Sequence, residues 1–73
     1  MIDMTYDREA DAAYIYLGRG KVAATKEEGP FLYDVDASGK ILGLEILSAS
    51  KILAPGDWSK SRLPGSSAAD AAE

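Results

Sequence analysis

The sequence predicts a small, mainly β domain: an antiparallel meander of about five strands, followed by a short C-terminal helix and a flexible tail. Three observations carry that expectation. Short runs rich in Val, Ile, Leu and Tyr recur through residues 1–53, and several alternate apolar with polar positions. Gly, Pro, Asp and Ser cluster between those runs, as strand connections require. After Leu53 the composition shifts to Ser, Ala, Gly and Pro, with too little apolar mass to offset the ordering of a backbone. The expected boundaries are 1–53 for the β domain and 54–73 for the tail.

Residues 2–6 alternate with period two, which places Ile2, Met4 and Tyr6 on one face of a strand. Asp7 to Asp11 is polar and turn-like. Ala12 to Leu17 supplies Tyr-Ile-Tyr-Leu and favours a second strand. Ala10, Ala13, Tyr14 and Leu17 also satisfy helical spacing with Asp7 as N-cap, so a helix over 8–17 stands as the alternative. Gly18 to Lys21 reads as a tight connection into Val22–Glu28, a more polar third strand suited to a sheet edge. Gly29-Pro30 ends it. Phe31–Val35 then turns through Asp36-Ala37-Ser38-Gly39 into Lys40–Leu47, the strongest hairpin signal in the chain.

With those four residues as the loop, Phe31, Tyr33 and Val35 share a face with Leu42, Leu44 and Ile46, which forms the expected core. The opposite face carries Leu32, Asp34, Ile41, Gly43, Glu45 and Leu47, too apolar for plain solvent and too charged for a sealed interior. It is the expected dimer surface, with Leu32, Ile41, Leu47, Tyr14 and Tyr16 as interface candidates. Ser48–Leu53 reads as one or two helical turns, capped by Ser48 and ended before Pro55. In the tail, Trp58 and Leu63 are the apolar exceptions and are able to dock on the body or a neighbour, whereas residues 64–73 are expected to be mobile.

At 73 residues the chain lies where a single core barely outweighs chain entropy. It has no Cys and no His, so disulfides, thiolate sites and imidazole sites are excluded together. Self-association is the remaining support, and a homodimer or higher oligomer is expected. The formal net charge is −4 and the eight basic residues are scattered, which argues against direct nucleic-acid or membrane-surface binding. Residues 1–18 lack the pattern of a signal peptide, and no run approaches the ~20 apolar residues of a membrane span. The expected location is the cytoplasm, and the expected partners are a second copy and another small protein.

The sharpest motif is Asp34-Val-Asp36-Ala-Ser38-Gly39-Lys-Ile41-Leu-Gly-Leu-Glu45, which follows the ligand spacing of a Ca²⁺-binding EF-hand loop. Its context opposes that reading. Gly29-Pro30 precludes the entering helix, and Ile41–Leu47 is too short and β-branched for the exiting one. A hairpin turn, with Asp36 accepting from backbone N–H groups and Gly39 left-handed, is the simpler account. Asp7, Glu9 and Asp11 form a second acidic group, read first as a solvated loop, with the alternative that Asp7 and Asp11 bond the loop's own backbone and so fix the first hairpin. A metal reading would have to use Asp34, Asp36, Ser38 and Glu45, or Asp7, Glu9 and Asp11; no metal, cofactor or catalytic site is expected. Catalysis without His or Cys would fall to carboxylates and tyrosines, the weakest of the three function classes. The favoured class is a binding or regulatory module, with divalent-cation binding second.

The segment Tyr6-Asp7-Arg-Glu9-Ala-Asp11-Ala-Ala-Tyr14-Ile15-Tyr16-Leu17 resembles the opening signature of the family known as domain of unknown function 2283. Asp34-Val-Asp36-Ala-Ser-Gly39-Lys-Ile-Leu-Gly43-Leu-Glu45-Ile46-Leu47 is similar to its closing signature. Ala12-Ala13 departs from the pattern, in which a larger aliphatic residue often precedes the aromatic. The resemblance covers about residues 2–51 and implies a compact β-sheet domain of small bacterial proteins with no established activity. By analogy with relatives beside small toxin-like genes, it also implies an antitoxin-like or partner-binding role.

Overall fold

The computed structural model describes residues 2–64, and within them five antiparallel strands form one sheet. Asp3–Asp7 (β1) and Ala12–Tyr16 (β2) make the first hairpin, with Tyr6 opposite Ala13 and Met4 opposite Ile15. That pairing decides the alternatives for residues 8–17: Ala12–Tyr16 is a strand, because its aromatic and β-branched side chains pack across the pleat. Ala24–Glu28 (β3), Phe31–Val35 (β4) and Ile41–Leu47 (β5) follow as a three-stranded meander.

The order across the sheet is β1-β2-β5-β4-β3. The Gly18–Lys21 connection is therefore not a tight hairpin, since β2 pairs with β5 and β3 lies at the far edge. Hydrophobicity explains the arrangement. β5 carries Ile-Leu-Gly-Leu-Glu-Ile-Leu and takes the centre, whereas every residue of Ala24–Glu28 is exposed. The connection crosses the end of β5, where Leu17 and Gly18 both donate N–H bonds to the Leu42 carbonyl at 2.9 Å. There the β4–β5 register slips by one residue, so Val35 faces Ile41 while Asp34 faces Gly43.

Parity divides the side chains between two faces. On the first face Tyr6, Ala13 and Ile46 are buried with Ala49, and Met4, Ile15, Phe31, Leu44, Leu53 and Trp58 pack around them. Val35 and Leu42 are also buried. The face containing Phe31, Tyr33, Val35, Leu42, Leu44 and Ile46 is thus the core side. A short helix, Ala49–Ile52 (α1), closes over it. Ser48 stands at the N-cap position, but its side chain makes no cap bond; with a φ of 53° it turns the chain out of β5 instead.

The segment expected as tail is ordered in its first part. A short 3-10 helix, Asp57–Lys60, sets the Trp58 ring edge-on to Tyr6 with centroids 4.9 Å apart. Arg62 then lies parallel to Thr5, and its carbonyl accepts the Tyr6 N–H at 2.9 Å. Leu63 is half exposed. The expectation for residues 65–73 lies outside the described residues. No helix among the described residues is long and apolar enough to cross a membrane.

Ala13 and Ala49 have no solvent exposure, and it is their small size that lets α1 sit directly on β2. Ala13→Leu, which inserts the larger aliphatic residue, is expected to overpack this contact and lower stability by about 1–3 kcal/mol. Urea unfolding of the variant against the parent chain checks it.

Candidate functional site

The second face of the sheet is built from rows that run across the strands. Asp3, Tyr16, Gly43, Asp34 and Thr25 form one row; Thr5, Tyr14, Glu45, Leu32 and Glu27 form the next; Asp7, Ala12 and Leu47 the third. Tyr14 leans out of its row across Gly43. Its hydroxyl donates to Asp34 Oδ2, and Thr25 Oγ1 donates to Asp34 Oδ1 at 2.5 Å. Glycine is required here, because a Cβ at position 43 would stand 2.5 Å from the Tyr14 ring. The Tyr14 and Tyr16 rings are tilted against each other at 4.7 Å.

Electrostatics follow from these bonds. Burial, reinforced by the Asp34 carboxylate, pushes the Tyr14 phenol well above its ordinary range. The Thr25 and Tyr14 hydroxyls hold Asp34 below the usual carboxylate value. At the β1 rim Arg62 is ion-paired with Asp3, with Nε 3.2 Å from Oδ1, and its guanidinium lies 5.9 Å from the centre of the Tyr16 ring. Asp3 is lowered by that pair. The same carboxylate also accepts the Met4 backbone N–H at 2.9 Å.

The interface candidates divide clearly. Tyr16 and Leu47 are 44% and 38% exposed, while Tyr14 and Leu32 are half-buried on the same face. Ile41 is exposed beside the register slip. Ala49 of α1 and Trp58 pack on the opposite face, whereas the Arg62 side chain reaches over this one, on which Thr5 is fully buried.

The metal candidates are not gathered. Asp36 Oδ1 accepts from the Ser38 and Lys40 N–H groups and from Ser38 Oγ at 2.9, 3.0 and 2.7 Å, and Gly39 takes a φ of 85°. That is the hairpin turn, and its donors lower the Asp36 pKa, the Ser38 hydroxyl most. Asp34 and Glu45 lie on strands with Asp34 already bonded to Tyr14 and Thr25. In the first loop Asp7 bonds the N–H groups of Glu9 and Ala10, and Glu9 is exposed. Asp11, expected to bond local backbone, turns the other way. With a φ of 54°, it accepts from Tyr6 Oη at 2.6 Å and from Ser50 N and Oγ at 3.0 and 2.6 Å. Its own carbonyl accepts the Ala49 N–H. Ser50 and Tyr6 lower the Asp11 pKa, and the bond to Asp11 raises that of Tyr6. Among the described residues no three Asp or Glu side chains come together as a metal-binding group.

Two arrangements escaped the sequence reading: Tyr14–Asp34–Thr25, and Asp11 as the distant cap of α1. A signal for the first was present in Gly43, since glycine inside an otherwise apolar strand marks a close approach. None was present for the second.

A family model described as "Protein of unknown function (DUF2283)" matches residues 3–50. The chain belongs to that family. No curated protein and no solved structure matches it. The DUF2283 match takes in all five strands and ends at Ser50, so the Asp11–Ser50 bonds fall within it and the packing of Trp58 and Arg62 lies beyond it.

Asp3, Asp11, Asp34 and Asp36 all sit below their ordinary value of 3.8 in the fold. The stability they contribute is present above about pH 4 and is lost as acidification passes their folded values, because protonation there favours the unfolded chain. Asp11→Asn is expected to lower the neutral-pH melting temperature by roughly 5–10 °C and to make the acid transition shallower, as thermal melts between pH 2 and 7 would show. Calorimetric titration of chelator-treated protein with Ca²⁺ is expected to give no saturable heat.

Proposed function

We propose that this chain is a self-associating binding module of the cytoplasm, which docks a second copy of itself through the second face of its sheet. The observation that carries the reading is that the sheet is layered on one side only. Tyr16 and Leu47 are left exposed, beside Tyr14 and Leu32, on a face to which α1 and Trp58 contribute nothing. A lone sheet with a face of mixed apolar and polar character left without a second layer buries little for its size, and a second layer is the ordinary remedy.

Three further points support it. The chain lacks Cys and His, so neither a disulfide nor an imidazole-bound metal supplements its small core. The chain measures 33 × 32 × 20 Å, so its broad side is of the size from which a stable dimer buries ~800 Å² per partner. Asp11, Asp34 and Asp36 hold backbone and hydroxyl groups in place, which suits structural ties better than acid–base work.

Light scattering on the purified chain is expected to return twice the 7.7 kDa mass at micromolar concentration. Leu47→Glu is expected to shift the population to monomer while far-UV circular dichroism stays that of a folded sheet. A parent chain that remains monomeric throughout would defeat the reading and leave a different protein as the occupant of this face.

A further inference from the structure

Basic residues that are scattered in the sequence are gathered by the fold at one end of the sheet. There β2 ends, β3 and β5 begin, and residues 17–23 cross between them. Arg19 and Lys21 lie in that connection and Lys40 beside it, all exposed, and among the described residues none of the three forms an ion pair or a side-chain hydrogen bond. The neighbouring acids are already engaged. Asp36 accepts from its own turn, Asp34 from Tyr14 and Thr25, and Asp3 from Arg62. Glu9 and Glu28 lie at the opposite end of the strands. A chain of net charge −4 therefore presents one uncompensated positive end.

Apolar side chains share that end. Leu17, Val22 and Ile41 are each half exposed, and they are held near one another because the Leu17 N–H bonds the Leu42 carbonyl while the Ala23 N–H bonds the carbonyl of Val35, the partner of Ile41. The backbone between the two anchors is open. Among the described residues the N–H groups of residues 19–22 have no partner, whereas those of Leu17, Gly18 and Ala23 do. Cations, free N–H donors and aliphatic surface thus alternate over one short, exposed stretch.

We propose that this end of the sheet binds an extended acidic segment of another protein. Its carboxylates meet Arg19, Lys21, Lys40 and the free N–H groups, and its apolar side chains cover Leu17, Val22 and Ile41. Charge complementarity selects this occupant over two others. A nucleic acid would find few cations and, among them, aliphatic side chains where a base needs an aromatic ring to stack on. A lipid surface calls for apolar side chains that project, and these three lie half covered against the end of the sheet. The proposal does not rest on self-association, which uses the second face.

The test is fluorescence anisotropy of a labelled synthetic peptide repeating Asp-Leu-Glu-Val, titrated with the full chain. Saturable binding that weakens with added salt is expected, with amide resonances of residues 17–22, 40 and 41 shifting in the complex. Arg19→Ser combined with Lys21→Ser is expected to raise the dissociation constant about tenfold, and Ile41→Ser severalfold. Both variants are expected to melt with the parent, since each replaced side chain is exposed. Absence of saturable binding, undiminished binding by the Arg19→Ser, Lys21→Ser chain, or equal binding of a peptide with Asn and Gln in place of its acids would overturn the proposal. So would tighter binding, through the same residues, of a single-stranded oligonucleotide or of phosphatidylserine vesicles, either of which would assign this end to a different class of partner.

Discussion

The carboxylate of Asp11 joins parts of the chain that local preference alone would leave separate. It sits at the end of the first hairpin loop, in a left-handed conformation, and binds Tyr6 behind it together with both the N–H and the hydroxyl of Ser50, 39 residues ahead. A four-residue helix such as α1 has almost no stability of its own. It persists here because Asp11 satisfies its unpaired N-terminal groups and because Ala49 rests on Ala13. Tyr6, oriented by the same carboxylate, presents its ring to Trp58 and so seats the following segment. Arg8 adds to this on the outside, with its guanidinium 5.7 Å from the Tyr6 ring centre and a hydrogen bond to the Ser59 carbonyl.

What could be read from the sequence was local. The Asp36–Gly39 turn, the exposed edge character of Ala24–Glu28 and the core face of the β4–β5 hairpin all follow from period-two patterning and turn chemistry, which act between near neighbours. The position of β5 between β2 and β4 did not, because it depends on which strands bury most when placed centrally. The cap of α1 was hidden for the same reason. Ser48 has the right chemistry at the right place, yet its backbone is committed to the turn out of β5, and a carboxylate from the opposite end of the domain does its work. Trp58 was visible as an anomaly of composition, and only its contact with Tyr6 explains it.

The EF-hand spacing in residues 34–45 is a case of one pattern serving another geometry. Asp36, Ser38 and Gly39 recur in hairpin turns because they satisfy a tight backbone loop, which is also what a cation-wrapping loop demands. The two diverge at the flanking positions. Asp34 and Glu45 emerge from paired strands rather than helices, and the pleat places them on the face that carries Tyr14 and Tyr16. One receives two hydroxyl donors, and the other stands among Tyr14, Leu32 and Leu47. The acidic residues of the motif thus become features of a surface.

The contact between Arg62 and β1 closes the first strand with nearly the last described part of the chain. Asp3 caps the outward N–H of Met4, and the Arg62 carbonyl caps that of Tyr6. During synthesis β1 precedes Arg62, so its outer edge stays open until residue 62 has followed. For most of that interval the nascent sheet offers a free margin to any neighbouring strand. The segment around Arg62 is therefore the seal on this margin of the sheet, and a chain lacking it would keep the β1 edge able to accept another strand.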